Sequence, residues 1–124
     1  MAGDRRRAIG NRGEQLAAEH LERLGYEILD RNFRTRWGEL DIIARDGRTL
    51  VFCEVKARRL DGSGRSPFES LHTAKRAQVR RIAGRWLSRA ERRPFLPQLR
   101  FDAIGVTFDR SGRLTSLEHL EGAF

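Results

Sequence analysis

The stretch Glu39–Lys56, ELDIIARDGRTLVFCEVK, decides the fold. Two apolar runs, Leu40–Ala44 and Leu50–Cys53, flank Asp46-Gly47, a dipeptide that favours a two-residue hairpin turn. The pattern predicts one strand over about 37–44 and another over about 49–57. With Asp46-Gly47 as the loop, Arg45 faces Arg48, Asp41 faces Phe52 and Glu39 faces Glu54. Paired residues share a face of a sheet, so Glu39, Asp41, Glu54 and Lys56 are expected to project together. Leu40, Ile42, Val51, Cys53 and Val55 then fill one apolar layer on the other face. Asp41 and Glu54 come out as diagonal neighbours, roughly 7–8 Å apart at the backbone. A slip of one residue would separate them. Carboxylates inside nearly continuous apolar runs are costly unless they serve something; the bland alternative is a solvated sheet face with a cross-strand ion pair.

Working outward, Leu16, Ala17, Leu21 and Leu24 form one helical stripe from about Asn11, and Gly25 closes that helix. Met1–Ile9 reads as a flexible basic arm. Tyr26–Phe33 reads as a first strand. LDGSGRS, residues 60–66, has loop composition, and Ser66-Pro67-Phe68-Glu69 is a capping box that predicts a helix start, with a break near Thr73. The stripe Val79, Ile82, Ala83, Trp86, Leu87 and Ala90 faces a core, and Lys75, Arg76, Arg80, Arg81, Arg85 and Arg89 lie mostly away from it. Leu99–Phe108 and Leu114–Leu120 are further strands. The strand after the long helix is expected parallel to the third, through a right-handed crossover. The fold class is therefore α/β: one domain over 1–124, a mixed sheet flanked by helices.

The 124 residues carry 25 Lys and Arg against 17 Asp and Glu, a net charge of +8. That excess suits a polyanion, since each phosphate contact releases counterions. The alternatives are solubility alone, or contact with acidic lipid or protein. All but two of the 25 basic residues are arginine, and the exceptions are Lys56 and Lys75. Arg and Lys are not equivalent, so a lysine in this chain points to a site that needs a compact ammonium, unless it stands there by chance. The one cysteine, Cys53, excludes an internal disulfide and is read as core. No stretch is long and apolar enough to span a bilayer, and residues 1–12 lack the apolar segment of a signal peptide, so a cytoplasmic location is expected.

The chemistry that suits Asp41, Glu54 and Lys56 is phosphodiester hydrolysis. Two carboxylates hold a hard cation, which offsets the charge gathered in the transition state. Lys56 orients water or stabilises the phosphate. Glu14 lies at the edge of its helical stripe, where it either faces the metal or complements the helix N-terminus. His20, His72 and His119 show no ligand spacing. Trp86 is read as core, Trp37 as packing with base stacking as the alternative, and Asp102 as a structural partner of Arg100 or a neighbour.

Asp41 followed by Glu54-Val55-Lys56 resembles the PD-(D/E)xK signature of the restriction-endonuclease-like superfamily, with Leu40 in the Pro position. The longer string is more specific. Gly10-x-x-Gly13-Glu14, Gly25-Tyr26, Gly38–Ala44, Val51–Lys56 and Arg100-Phe101-Asp102 closely resemble the YraN-type family of bacterial proteins, and the first four of these elements are similar to archaeal Holliday junction resolvases. The resemblance implies a restriction-endonuclease-like αβββαβ core. It implies Mg²⁺ or Mn²⁺ on Asp41, Glu54 and the Val55 carbonyl, with Lys56 catalytic and Glu14 accessory. Lys75 falls where relatives place a Lys or Gln near the phosphate, and Arg76 and Arg58 are further candidate nucleic-acid contacts. The expected activity is a metal-dependent nuclease on DNA, branched or damaged DNA included, and cleavage of both strands would call for a homodimer. A nucleic-acid-binding module without catalysis, and a protein-interaction domain, stay open beside it.

Overall fold

A computed structural model describes residues 2–69, 73–89 and 98–124. The elements, in chain order, are α1 (Ala2–Arg23), β1 (Glu27–Thr35), β2 (Gly38–Asp46), β3 (Thr49–Arg59), α2 (Thr73–Arg89), β4 (Gln98–Phe108) and β5 (Leu114–Leu120). They build one five-stranded sheet in the order β1-β2-β3-β4-β5. The β1–β2, β2–β3 and β4–β5 pairs are antiparallel, and β3–β4 is parallel, as the αβββαβ order requires. A parallel pair needs a long crossover, and the segment carrying α2 supplies it.

The helices pack into two separate apolar layers. Ala17, Ala18 and Leu21 of α1 cover Ile42, Ala44, Val51, Cys53, Ile104, Val106 and Phe108. Val79, Ile82, Ala83 and Trp86 of α2 cover Leu40, Ile43, Leu50, Phe52 and Phe101. Each large apolar side chain so buried contributes roughly 1.5–3 kcal/mol relative to exposure. With apolar layers on both sides, β3 reads as a continuous apolar run. Trp86, on the predicted stripe, also donates from Nε1 to Asp30 Oδ2 at 3.0 Å. Ala90 of that stripe, and His72, lie outside the described residues.

Helix α1 ends as Gly25 predicts. The Tyr26 amide donates to the Leu21 carbonyl at 2.9 Å and the Gly25 amide to Glu22 at 3.0 Å, with Gly25 at φ +92°. This paired bonding satisfies two carbonyls that the helix end leaves open. Leu24, predicted on the buried stripe, is 54% exposed, because the turn at Gly25 carries it off the helix face. The helix runs from Ala2, so the basic segment expected as an arm over Met1–Ile9 is helical from residue 2 onward.

The hairpin corrects the predicted register by two residues. Asp46 pairs with Thr49 and Arg45 with Leu50, so the loop is Gly47-Arg48. Gly47 stands first in it with φ +58°, the position where a two-residue turn favours glycine. A two-residue shift keeps the parity of β3 and moves Asp41 toward Glu54 itself. The ladder stops short of that pair, at Ile42–Cys53.

A second correction follows at the same place. Leu40 and Ile42, expected in one layer, lie in opposite ones: Leu40 with α2 and Ile42 with α1. Opposite Asp41, between the pairs Arg31–Ile42 and Phe33–Leu40, Asn32 takes φ +54°. The two strands kink together, which breaks the alternation a sequence pattern assumes. The predicted helix start at Ser66 is corrected as well. Residues 67–69 form a turn instead of a helix, with Ser66 Oγ accepting from the Phe68 amide at 3.1 Å; residues 70–72 lie outside the described ones, and α2 is described from Thr73.

Candidate active site

Gly13 lets α1 lie close to the sheet. A Cβ there would stand 2.5 Å from the Ala57 Cβ. The contact brings the next residue, Glu14, to the kink. Carboxylate oxygens of Glu14, Glu39 and Asp41 lie within 4.8 Å of one another. Asn32, with its amide nitrogen toward the acids, donates to Glu39 Oε1 at 2.8 Å and Glu14 Oε2 at 2.9 Å. Asp41 Oδ2 accepts from the Val55 amide at 2.7 Å, so a side chain takes over where the β2–β3 ladder stops. Arg34 pairs with Glu39 at 3.3 Å.

Three acids so close disfavour full ionisation. Burial pushes the Asp41 carboxyl up to about 7. The Val55 hydrogen bond opposes that rise, and the charges of Glu14, Glu54 and Glu39 add to it. Glu14 is also raised, chiefly by burial, with a hydrogen bond from Asp41 opposing and the Glu39 charge adding. Such a group retains a proton or takes a cation.

Glu54 projects toward α2 instead. Its Oε1 meets Lys75 Nζ at 2.9 Å and Lys56 Nζ at 3.3 Å. The only two lysines of the chain thus converge on one carboxylate oxygen. Glu54 is 5% exposed, and its other oxygen, Oε2, is buried without a hydrogen-bond partner among the described residues. A buried carboxylate oxygen left so is costly, and a cation with oxygen ligands would satisfy it.

The four predicted acidic and lysine positions therefore gather around the β2–β3 junction in two groups joined by Val55. Glu39 and Asp41 go with Glu14 of α1, and Glu54 and Lys56 go with Lys75 of α2; the single shared face expected from the sequence is split by the kink. Glu39 joins the acidic group, a placement its spacing from Asp41 allowed but which carried no ligand role. Asn32 left no signal, since only the bend in β1 gives it a role. Arg58 lines an open recess of about 420 Å³ with Lys56, Arg65 and Ser66. Arg76 is exposed on α2 beside Lys75.

Asp102 is structural, as expected. It is fully buried, Arg100 grips it through Nε and one terminal nitrogen at 2.9 Å each, and His119 Nε2 lies at 2.8 Å. His20 Nε2 stands 3.2 Å from His119 Nδ1. Cys53 lies wholly in the core, where burial raises its thiol well above the ordinary range.

Fold and site together define an α/β domain of the αβββαβ type, with a half-buried carboxylate–lysine centre where the second and third strands part. The chain belongs to the family described as "Uncharacterised protein family UPF0102", whose sequence profile matches residues 13–106. It is 44% identical over 118 residues to a UPF0102 protein of Geobacter metallireducens, covering 95% of this chain and 93% of that one. It is 46% identical over 117 residues to one of Frankia casuarinae, covering 94% and 96%. A UPF0102 protein of Acidothermus cellulolyticus is 44% identical and is aligned over the full length of both chains. No helix among the described residues is long and apolar enough to cross a membrane.

Proposed function

We propose that the protein is a metal-dependent nuclease of the restriction-endonuclease-like, PD-(D/E)xK type, hydrolysing phosphodiester bonds of DNA. The observation that carries this is the junction at Val55. Asp41 holds the Val55 amide, while the residues on either side, Glu54 and Lys56, supply a second carboxylate and an ammonium. The orphaned Glu54 Oε2 and the crowded acids around Asp41 suit a hard divalent cation, Mg²⁺ or Mn²⁺. Asp41, Glu54 and the Val55 carbonyl would hold it. When bound, it would neutralise phosphate charge and lower the pKa of a coordinated water.

The side chains have distinct tasks in this scheme. Lys56 Nζ, 35% exposed at its side chain, reaches solvent and donates to the attacking water or to a phosphate oxygen. Lys75 Nζ does the same from α2, and in the absence of substrate both rest on Glu54. Glu14 and Glu39 hold Asp41 in a strongly acidic surrounding that favours a cation over a second ammonium. Arg58 and Arg76 would meet flanking phosphates. Branched or damaged DNA is the substrate we favour, and a homodimer would be needed to cut two strands.

A second reading has one observation in its favour. Two lysines already neutralise Glu54, as befits a nucleic-acid-binding module that does not cleave. One experiment separates the two. Purified protein is incubated with labelled duplex, single strand, fork, four-way junction and RNA, in Mg²⁺, Mn²⁺ or chelator. Cleavage that needs metal and is lost in Glu54→Gln supports the nuclease. Binding without cleavage on every substrate overturns it in favour of the module.

A further inference from the structure

A recess of about 390 Å³ opens beside the β1–β2 turn, lined by Thr35, Arg36, Trp37, Arg85 and Arg89. The Trp37 indole is its aromatic wall. The Arg36 guanidinium lies 4.9 Å from the ring centroid, and Arg81 lies 5.7 Å from it. Among the described residues, none of Arg36, Arg81, Arg85 and Arg89 has a carboxylate within 4.0 Å, whereas neighbouring Arg34 is paired with Glu39. Four guanidinium groups around one indole, with no carboxylate partner among the described residues, repel each other, and an anion relieves that repulsion.

The turn is held ready. The Trp37 amide donates to Thr35 Oγ1 at 3.1 Å, and Thr35 Oγ1 donates to the Gly38 carbonyl at 3.1 Å. The Gln78 side chain of α2 donates to the Trp37 carbonyl. Gly38, at φ +134°, leaves the space that Gln78 occupies, since a Cβ there would lie 2.6 Å from Nε2. The backbone that carries the indole is therefore held in place before any ligand arrives, which lowers the ordering cost of binding.

The recess also lies on a path from the acidic centre. Trp37 precedes Asp41 by four residues, about 13 Å along a strand. On α2, Lys75, Gln78, Arg81, Arg85 and Arg89 follow one another at spacings of three and four, so they share a helical face. From Lys75, which touches Glu54, to Arg89 is about 21 Å of helix. A nucleic-acid strand carries one phosphate per roughly 3.4 Å when stacked, so the path spans several nucleotides.

We infer that this recess binds an unpaired nucleotide of the substrate strand, its base taking the place of the Arg36 guanidinium over Trp37 and its phosphates on Arg85 and Arg89, a few nucleotides from the bond cleaved. A base inside a duplex is stacked on its neighbours and has no free face to give an indole, whereas a single strand does. The partner is thus DNA with a single-stranded flank. This inference rests on the nucleic-acid reading of the acidic centre and adds the substrate feature that the protein selects.

The test is binding in chelator, which takes catalysis out of the measurement. The probes are one labelled blunt duplex and the same duplex with a six-nucleotide overhang. The proteins are the wild type, Arg85→Ala/Arg89→Ala and Trp37→Leu. Both arginines are exposed, so the double variant is expected to fold normally, and thermal unfolding checks this for each protein. The wild type should prefer the overhang probe, and the double variant should lose about tenfold or more of affinity for that probe alone. Its log–log salt dependence should flatten by about 1.4, at roughly 0.7 per single-strand phosphate contact. Equal loss on both probes, or no loss, overturns the recess and leaves the nuclease standing. Overhang preference lost in the double variant, with no cleavage by the wild type in any metal, keeps the recess and overturns the nuclease. No binding to either probe overturns both.

Discussion

Replacing Gly13 by alanine tests whether the close approach of α1 to β3 builds the acidic centre. The added methyl would stand 2.5 Å from Ala57 Cβ and 3.8 Å from Val106 Cβ, and the first of these contacts cannot persist. Helix and strand must separate by about 1 Å or more. Overpacking of this kind costs roughly 1–3 kcal/mol. Alanine returns about 1 kcal/mol of helix propensity in an isolated helix. A contact as short as 2.5 Å stands at the upper end of the overpacking range, about 2–3 kcal/mol, so the net expectation is a loss of about 1–2 kcal/mol, or roughly 4–8 °C in Tm for a chain of this size. Ala57→Gly in the same protein removes the obstructing methyl, and the double variant should recover most of that loss. Chemical denaturation of the four proteins gives the coupling energy directly, expected at about 1 kcal/mol or more. Metal-dependent cleavage should fall further in Gly13→Ala than stability does, because Glu14 moves with the helix. If Gly13→Ala is as stable as the wild type, or if Ala57→Gly fails to rescue it, the close approach of α1 to β3 does not build the acidic centre.

Other expectations follow from the same contacts. Asp102→Asn removes the buried counter-charge of Arg100 and leaves it only the exposed carboxylates of Asp46 at 3.5 Å and Glu121 at 3.7 Å, at a cost of about 1–3 kcal/mol, measured by urea denaturation at pH 7. Burial alone would raise the Asp102 carboxyl, but hydrogen bonds from His119, Arg100 and the Gly122 amide outweigh it and hold the group below its ordinary value. Its stabilising share is therefore present above about pH 4 and lost as pH falls through the folded value, so wild type and Asp102→Asn should converge in stability toward pH 3. Burial, then His119 and Arg23, hold His20 below its ordinary range; protonation opposes folding, and His20→Gln should flatten the loss of stability as pH falls below about 6.5. Lys75→Met should lower cleavage by more than tenfold yet leave the Tm within about 5 °C, and a Tm collapse would make Lys75 a structural partner of Glu54 instead. Mg²⁺ or Mn²⁺ should raise the Tm of the wild type in proportion to the logarithm of its concentration, and Asp41→Asn should abolish that rise.

The sequence by itself determined the order of elements, because period-2 and period-3.6 patterns are local and Gly25 and Gly47 punctuate them. It also marked the residues to which the proposed chemistry is given: Asp41, Glu54 and Lys56 stand out against apolar runs, and the two lysines stand out against the arginines. Parity survived the register error at the hairpin, since a shift of two residues leaves every side chain on its face. The kink at Asn32 and Asp41 was a different matter. Pattern-based facing assumes an unbroken pleat, and nothing local marks where two strands bend together, so the division of the acids between α1 and α2 lay outside it. The same holds for Asn32 between Glu14 and Glu39, and for the recess that joins Trp37 to arginines some fifty residues away. Those contacts arise only when the helices settle on the two faces of the sheet, and that packing is decided by the shapes of distant surfaces such as Gly13 against Ala57.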